Sequence, residues 1–249
     1  MPSGLKYMDC RFGGIGASQQ NDATITSGTA GETNLITIDG IPFSYMVIGT
    51  QTTLIPAISQ AGVDFTLTDT DGQGFALSPF SNSIQSPLCF TIGTDAAFFT
   101  QLTVQATDWS GVRLYVGFHG GSAATMEAHE TTWANYTDKA TIGNHTADAV
   151  DVYTSTALND GADVDTDTTI NLTDGDVMRA KVLVSAAGVA TYGLDLAATA
   201  TPTTFVAQSL TTVAYTFDDG DTVTPLVWCI NAGDTVTALN FKRWLVAHQ

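Results

Sequence analysis

Hydrophobic and polar residues alternate with a period of two along much of this 249-residue chain, the pattern of strands with one buried face. Val112, Leu114, Val116 and Phe118 alternate with Arg113, Tyr115 and Gly117. Upstream, Phe98, Leu102 and Val104 oppose Thr103 and Gln105, and Asp108-Trp109-Ser110-Gly111 has turn composition, so 98–119 reads as a hairpin. A second hairpin is predicted over Asp176 to Leu196. There Met178, Val182 and Val184 share a face, Ser185-Ala186-Ala187-Gly188 turns, and Tyr192, Leu194 and Leu196 continue. From Gly62 to Ser83, Val63, Phe65 and Leu67 lead into a turn over Asp69 to Gly74, and Phe75 to Phe80 returns. Leu35, Phe43, Tyr45, Val47 and Ile48 mark shorter strands, with turn points at Asp39-Gly40 and Gly49. Leu88-Cys89-Phe90 and Val150 to Tyr153 add strand-like pieces.

The stretch Thr216 to Val246 organises the rest. Leu226 to Ala232 is apolar on both faces, with Leu226, Trp228 and Ile230 on one and Val227 and Cys229 on the other. A strand covered on both sides reads this way. Val236 to Val246 alternates instead, placing Leu239, Phe241 and Leu245 on one face and Asn240, Lys242 and Trp244 on the other. Joined by Gly233-Asp234, the two runs predict a hairpin at the centre of a sandwich. A long amphipathic helix is missing from the pattern, and one short helix fits Ala128 to Tyr136. Short strands with Gly, Asp and Asn turns predict an all-β, antiparallel jelly-roll β-sandwich. Met1 to Thr33 is rich in Gly, Ser, Thr and Asn and has no strand or helix period. It reads either as a frayed terminus or as an extended arm that orders against a neighbouring subunit. The expected organisation is an extended N-terminal arm over 1–33 and a sandwich over 34–249.

Net charge changes the list of partners. Twenty-five acids against eight lysines and arginines give −17. A field of that sign repels phosphate backbones and anionic bilayers, so neither nucleic acid nor membrane is an expected partner. Cys10, Cys89 and Cys229 are odd in number and widely spaced, without metal or disulfide spacing. The first residues lack a signal peptide's apolar stretch, which leads to an expectation of a soluble product made in the cytoplasm.

Candidate chemistry is sparse. His129-Glu130-Thr131-Thr132-Trp133 has Trp where a zinc protease needs its second imidazole. Glu127 with Glu130, or Asp218, Asp219 and Asp221, supply carboxylates for glycoside hydrolysis, but Asp218-Asp219-Gly220-Asp221 reads better as a turn. Asp69-Thr70-Asp71-Gly72 and Asp163, Asp165 and Asp167 place oxygens at alternate positions, as calcium loops do, without a closing Glu. Gly13-Gly14-Ile15-Gly16 lacks the context of a phosphate loop, and a Gly-x-Ser-x-Gly elbow is missing. Asn135, Asn144 and Asn171 head glycosylation tripeptides. Trp109, Trp133, Trp228 and Trp244 form a sugar platform only if they are exposed in a row; as strand residues, Trp228 and Trp244 are expected to pack in the core or an interface. The residues thus assign no catalytic, cofactor-binding or metal site, and imply a non-enzymatic protein without a cofactor.

Three blocks carry a resemblance: FFTQLTVQATDWSGVRLYVGFH (98–119), DVMRAKVLVSAAGVATYGLDL (176–196) and FDDGDTVTPLVWCINAGDTVTALNFKRWLV (217–246). Together they resemble the concanavalin A-like jelly-roll superfamily of lectins, glucanases and laminin G-like modules. Within them, Gly188-Val189-Ala190-Thr191-Tyr192-Gly193-Leu194-Asp195 is similar to that superfamily's strand pair, and Gly220-Asp221-Thr222-Val223-Thr224-Pro225 to its late lead into a strand. An unstructured N-terminal arm combined with few charges and a Thr/Ala/Gly/Asp surface resembles bacteriophage virion proteins. That resemblance implies a capsid decoration protein on the outer surface of a virion. Its partners would be the major capsid protein and further copies of itself in a homo-oligomer, with an arm including Leu5, Tyr7, Phe12 and Ile15 clamping neighbours. The alternative it implies is a tail or fibre module that binds host glycans.

Overall fold

The computed structural model describes residues 6–12, 33–38, 40–49, 57–59, 62–67, 70–80, 86–121, 129–145, 150–198, 204–233 and 237–249. Its strands are β1 (Tyr7–Arg11), β2 (Thr33–Ile38), β3 (Ile41–Ile48), β4 (Ala57–Ser59), β5 (Gly62–Leu67), β6 (Gly74–Pro79), β7 (Phe90–Thr91), β8 (Phe98–Ala106) and β9 (Val112–Gly121). They continue with β10 (Asp138–Asn144), β11 (Asp151–Ala157), β12 (Val164–Asn171), β13 (Val177–Val184), β14 (Val189–Ala197), β15 (Val206–Ala207), β16 (Tyr215–Thr216), β17 (Thr222–Asn231) and β18 (Thr237–His248). One sheet runs β15-β14-β13-β8-β18-β5-β4, with β1 added to β18 and β16 to β14. The other runs β12-β11-β10-β9-β17-β6-β3-β2, with β7 added to β17. The pairings are antiparallel throughout, and the two sheets pack face to face as a concanavalin-like jelly-roll sandwich.

The sequence reading of β17 and β18 as a hairpin is corrected. Each is central, but to a different sheet. The same correction applies to β8 and β9 and to β5 and β6, both read as hairpins. In a sandwich the inner faces of both sheets look into one core. An arch between layers and a hairpin within one layer therefore share the same alternation of apolar residues. The β13–β14 hairpin does form, with Val184 opposite Ala190 and a turn closed by Gly188 at φ +82°.

Trp244 is a second correction. β18 carries a bulge: Phe241 pairs with Val104 and Arg243 with Thr103, leaving Lys242 extra. An inserted residue shifts the side-chain phase by one. Beyond it Trp244 and Val246 point into the core while Leu245 turns outward. Trp244 stacks on Phe43 at 5.9 Å and donates its indole N–H to Thr100 Oγ1 at 2.8 Å.

The arm expected over 1–33 is also changed in part. Tyr7–Arg11 is a strand paired with β18, and Met8, Cys10 and Phe12 are buried in the main core. Asp9 accepts two hydrogen bonds from Arg243, at 2.7 and 2.9 Å. These bonds outweigh burial and hold the Asp9 carboxyl below its usual value. Lys6 reaches across to Asp95 at 2.8 Å and to the carbonyl of Cys89. Leu5 and residues 13–32 lie outside the described residues, and with them most of the clamping reading. The three cysteines are buried free thiols.

Candidate functional site

The β17 sheet is covered on its outer face too, as the doubly apolar pattern of 226–232 predicts. Val223, Val227 and Cys229 join the main core, whereas Leu226 and Trp228 join Met46, Ile48, Ala76, Tyr115, Trp133 and Tyr136 in a second apolar cluster. Residues 129–136 lie across this face. Where a short helix was expected, they make a single 3₁₀ turn, Trp133–Asn135.

Side chains from the sheet pin this strap. The Trp133 ring stacks on Tyr115 at 4.3 Å and 12°, and its indole N–H bonds Ser155 Oγ at 2.9 Å. Lys139, fully buried, donates to the Trp133 carbonyl at 2.7 Å, lies 4.5 Å from the centre of its ring, and pairs with Asp163 at 2.6 Å. Trp228 donates its indole N–H to the Glu130 carbonyl at 3.1 Å. A buried ammonium requires such partners.

Beside the strap opens a pocket of about 330 Å³, lined by Trp133 and Trp228 with Arg113, His145, Asp163 and Asp165 among its polar groups. Arg113 and Tyr115 come from β9, Trp228 from β17, and His145 follows β10. The inner register of those strands fixes which residues face outward. His145 Nε2 lies 3.3 Å from Asp165 Oδ2. Burial would raise the Asp165 carboxyl, but hydrogen bonds from His145 and Ser155 and the charge of Lys139 prevail, holding it below the ordinary carboxylate value. The buried Tyr115 phenol lies within the fields of Asp165, Arg113 and Asp163, and its hydroxyl has no hydrogen-bond partner among the described residues.

Further along β9 and β17 the covered face becomes polar. His119 lies opposite Thr224 and Lys139, and its ring is 5.9 Å from that of His129. Burial lowers both imidazoles to about 3.

The sequence candidates fare unevenly. All four tryptophans are buried, Trp133 the least at 7 %, so no exposed row exists; only the margins of Trp133 and Trp228 reach the pocket. Glu127 and Asp69 lie outside the described residues, while Glu130 is held by Asn135 at 3.4 Å. Asp221 accepts the Asp218 N–H at 2.8 Å, the turn that the sequence suggested. Asp163 and Asp165 start a strand and pair with Lys139 and His145. The described residues contain no cluster of three or more His, Cys, Asp or Glu able to hold a metal ion. Arg113, Tyr115, Lys139 and His145 escaped notice as site residues. The outward phase of Arg113 and Tyr115 was readable, but the pattern marked no strand at β10, and the convergence depends on β10 pairing with β9.

No protein-family model matches the sequence, and no curated protein matches it either. Solved structures do. The carbohydrate recognition domain of Emp47p aligns at a TM-score of 0.50 and 9 % identity, over 82 % of this chain and 88 % of that one. The exoplasmic/lumenal domain of VIP36, in a form with Ca²⁺ and Man3GlcNAc bound, gives 0.49 at 10 % identity, with 83 % of each chain covered. Alginate lyase A1-II′, of polysaccharide lyase family 7, gives 0.46 at 13 % identity, covering 89 % and 85 %. At its identity, what the Emp47p domain shares with this chain is the fold.

Proposed function

We propose that this chain is a non-catalytic carbohydrate-binding sandwich that holds a sugar in the pocket beside Trp133. The observation that carries the reading is the lining. The edges of Trp133 and Trp228 give the pocket an apolar margin, while Arg113, Asp163 and Asp165 place hydrogen-bonding groups around it. A pocket of about 330 Å³ falls in the range of small-ligand sites. Binding without turnover fits Asp165, whose carboxyl is held ionised; a glycosidase acid needs the opposite shift. Replacing Arg113, which lines the pocket, with Ala is expected to weaken binding about tenfold, given what a hydrogen bond to a charged group contributes. Titration of a glycan panel, followed by tryptophan fluorescence, checks this. Equal affinity of the variant and the parent for every glycan that binds would defeat the assignment, as would shortening of the glycan during incubation.

The setting proposed is a bacteriophage virion, on the strength of the sequence resemblance, with capsid decoration beside the major capsid protein as its finer form. Peptide counting in purified particles tests that setting separately. Copies in the hundreds, tracking the capsid lattice, are expected for decoration. A handful would shift the module to the tail or a fibre, and none would remove the virion.

A further inference from the structure

The outer face of the β18 sheet, opposite the pocket, concentrates the positive charge of an otherwise acidic protein. Direct cross-strand partners share a face, so the register fixes a row: Asp195 opposite Arg179, Arg179 opposite Thr103, Thr103 opposite Arg243, and Arg243 opposite Arg11. The next row holds Lys181, Gln101 and Leu245. Half of the protein's eight lysines and arginines therefore stand on one sheet face, accompanied by Asp9 and Asp195. Arg243 and Arg11 share Asp9, with Arg11 71 % exposed, while the other cations are held more closely. Arg179 is bonded to Asp195 at 2.6 Å and lies 4.2 Å from the centre of the Phe205 ring. Lys181 sits 4.2 Å over Phe99, and among the described residues it has no carboxylate partner. Half-exposed Phe99, Leu183 and Leu245 lie between the charges.

The complement lies on the same molecule. β12 is an edge strand of the other sheet; its Val164 is 50 % exposed and its Asp167 is also exposed. Exposed Asp160 follows β11, and exposed Asp218 is joined to Asn159 at 2.7 Å on the same side. The cation nearest this edge, Lys139, is buried and already paired with Asp163. Two cationic faces would repel each other, which rules against a two-fold contact between like patches.

We propose that copies of this chain associate heterologously, the acidic β12 edge of one docking on the cationic outer face of the β18 sheet of the next. The contact uses charge to set orientation. Each molecule carries −17 overall, but at physiological salt the repulsion is screened beyond about 8 Å, while contact pairs are screened much less.

A charge-swap experiment tests this on the full chain, by sedimentation velocity at concentrations up to about 1 mM. The parent is expected to associate. A face variant, Arg179→Glu/Lys181→Glu, and an edge variant, Val164→Lys/Asp167→Lys, are each expected to run as monomers with unchanged circular dichroism. Their equimolar mixture is expected to associate again, since the reversed edge meets the reversed face. A monomeric parent, variants that associate like the parent, or a mixture that stays monomeric would each overturn the proposal. If the parent is monomeric and binds dextran sulfate through Arg179 and Lys181, the face belongs to a polyanion instead.

Discussion

Lengthening the chain by one residue at Lys242 is expected to abolish cooperative folding. Lys242 is the extra member of the β18 bulge, between Phe241 opposite Val104 and Arg243 opposite Thr103. Leu239 and Phe241 before it, and Trp244 and Val246 after it, all point into the core because the bulge resets the phase. An alanine inserted after it, with the bulge in place, moves the phase by one again and must turn Trp244 and Val246 outward. Removing a buried tryptophan side chain alone costs about 3–5 kcal/mol, and here a second buried residue leaves with it. The total exceeds about 5 kcal/mol, comparable to the whole stability of many domains. Lys242→Ala retains the extra residue and is expected to stay within about 1 kcal/mol of the parent. Urea unfolding of both variants distinguishes residue count from side chain. An insertion variant with the parent's midpoint would show that the bulge absorbs a second extra residue.

Acid is expected to destabilise the protein well above the range where carboxylates titrate. Burial lowers His119 and His129 from 6.5 to about 3, so the folded state holds both neutral. Unfolded, each takes up a proton as the pH falls through 6.5. Their contribution to stability is complete above that pH and declines as the pH drops toward 3. Each histidine gives a slope of about 1.4 kcal/mol per pH unit between roughly pH 6 and 4. Asp9 and Asp165, both lowered, add their losses only below about pH 4. Urea midpoints followed from neutral pH downward should fall steadily, and His129→Gln should remove about half of the slope. A flat profile across that window would mean that the pair opens to solvent or is protonated when folded.

Strand identity was legible because burial on one face imposes a period of two, and β8, β9, β13 and β14 follow it. The β17 pattern also foretold a second covered face, now seen under Trp133. Layer assignment was not legible. Phe98 and Val112 both face the core, although one belongs to each sheet, so their alternation carries no information about which strand lies beside them. The phase of Trp244 was misread for a related reason: a bulge leaves only a short break in the pattern, and Lys242 followed by Arg243 supplies no glycine to mark it. The pocket was hidden more deeply. His145 and Asp165 meet because β10, β11 and β12 are successive neighbours, a fact of topology. The buried Lys139 contradicts composition outright, since only its partners Asp163 and Trp133 make such a position tolerable.

The placement of β17 and β18 at the middle of both sheets also bears on how the chain is made. Residues 222–248 come later than every strand they pair with, β1 at Tyr7–Arg11 included. While a ribosome is still extending the chain, the two half-sheets on either side have no common neighbour to join them, and their apolar inner surfaces stay unmatched. Sealing of the sandwich is then a late event that follows synthesis of this segment, and the nascent chain depends on its acidic, Thr-rich outer positions to stay dispersed until it arrives.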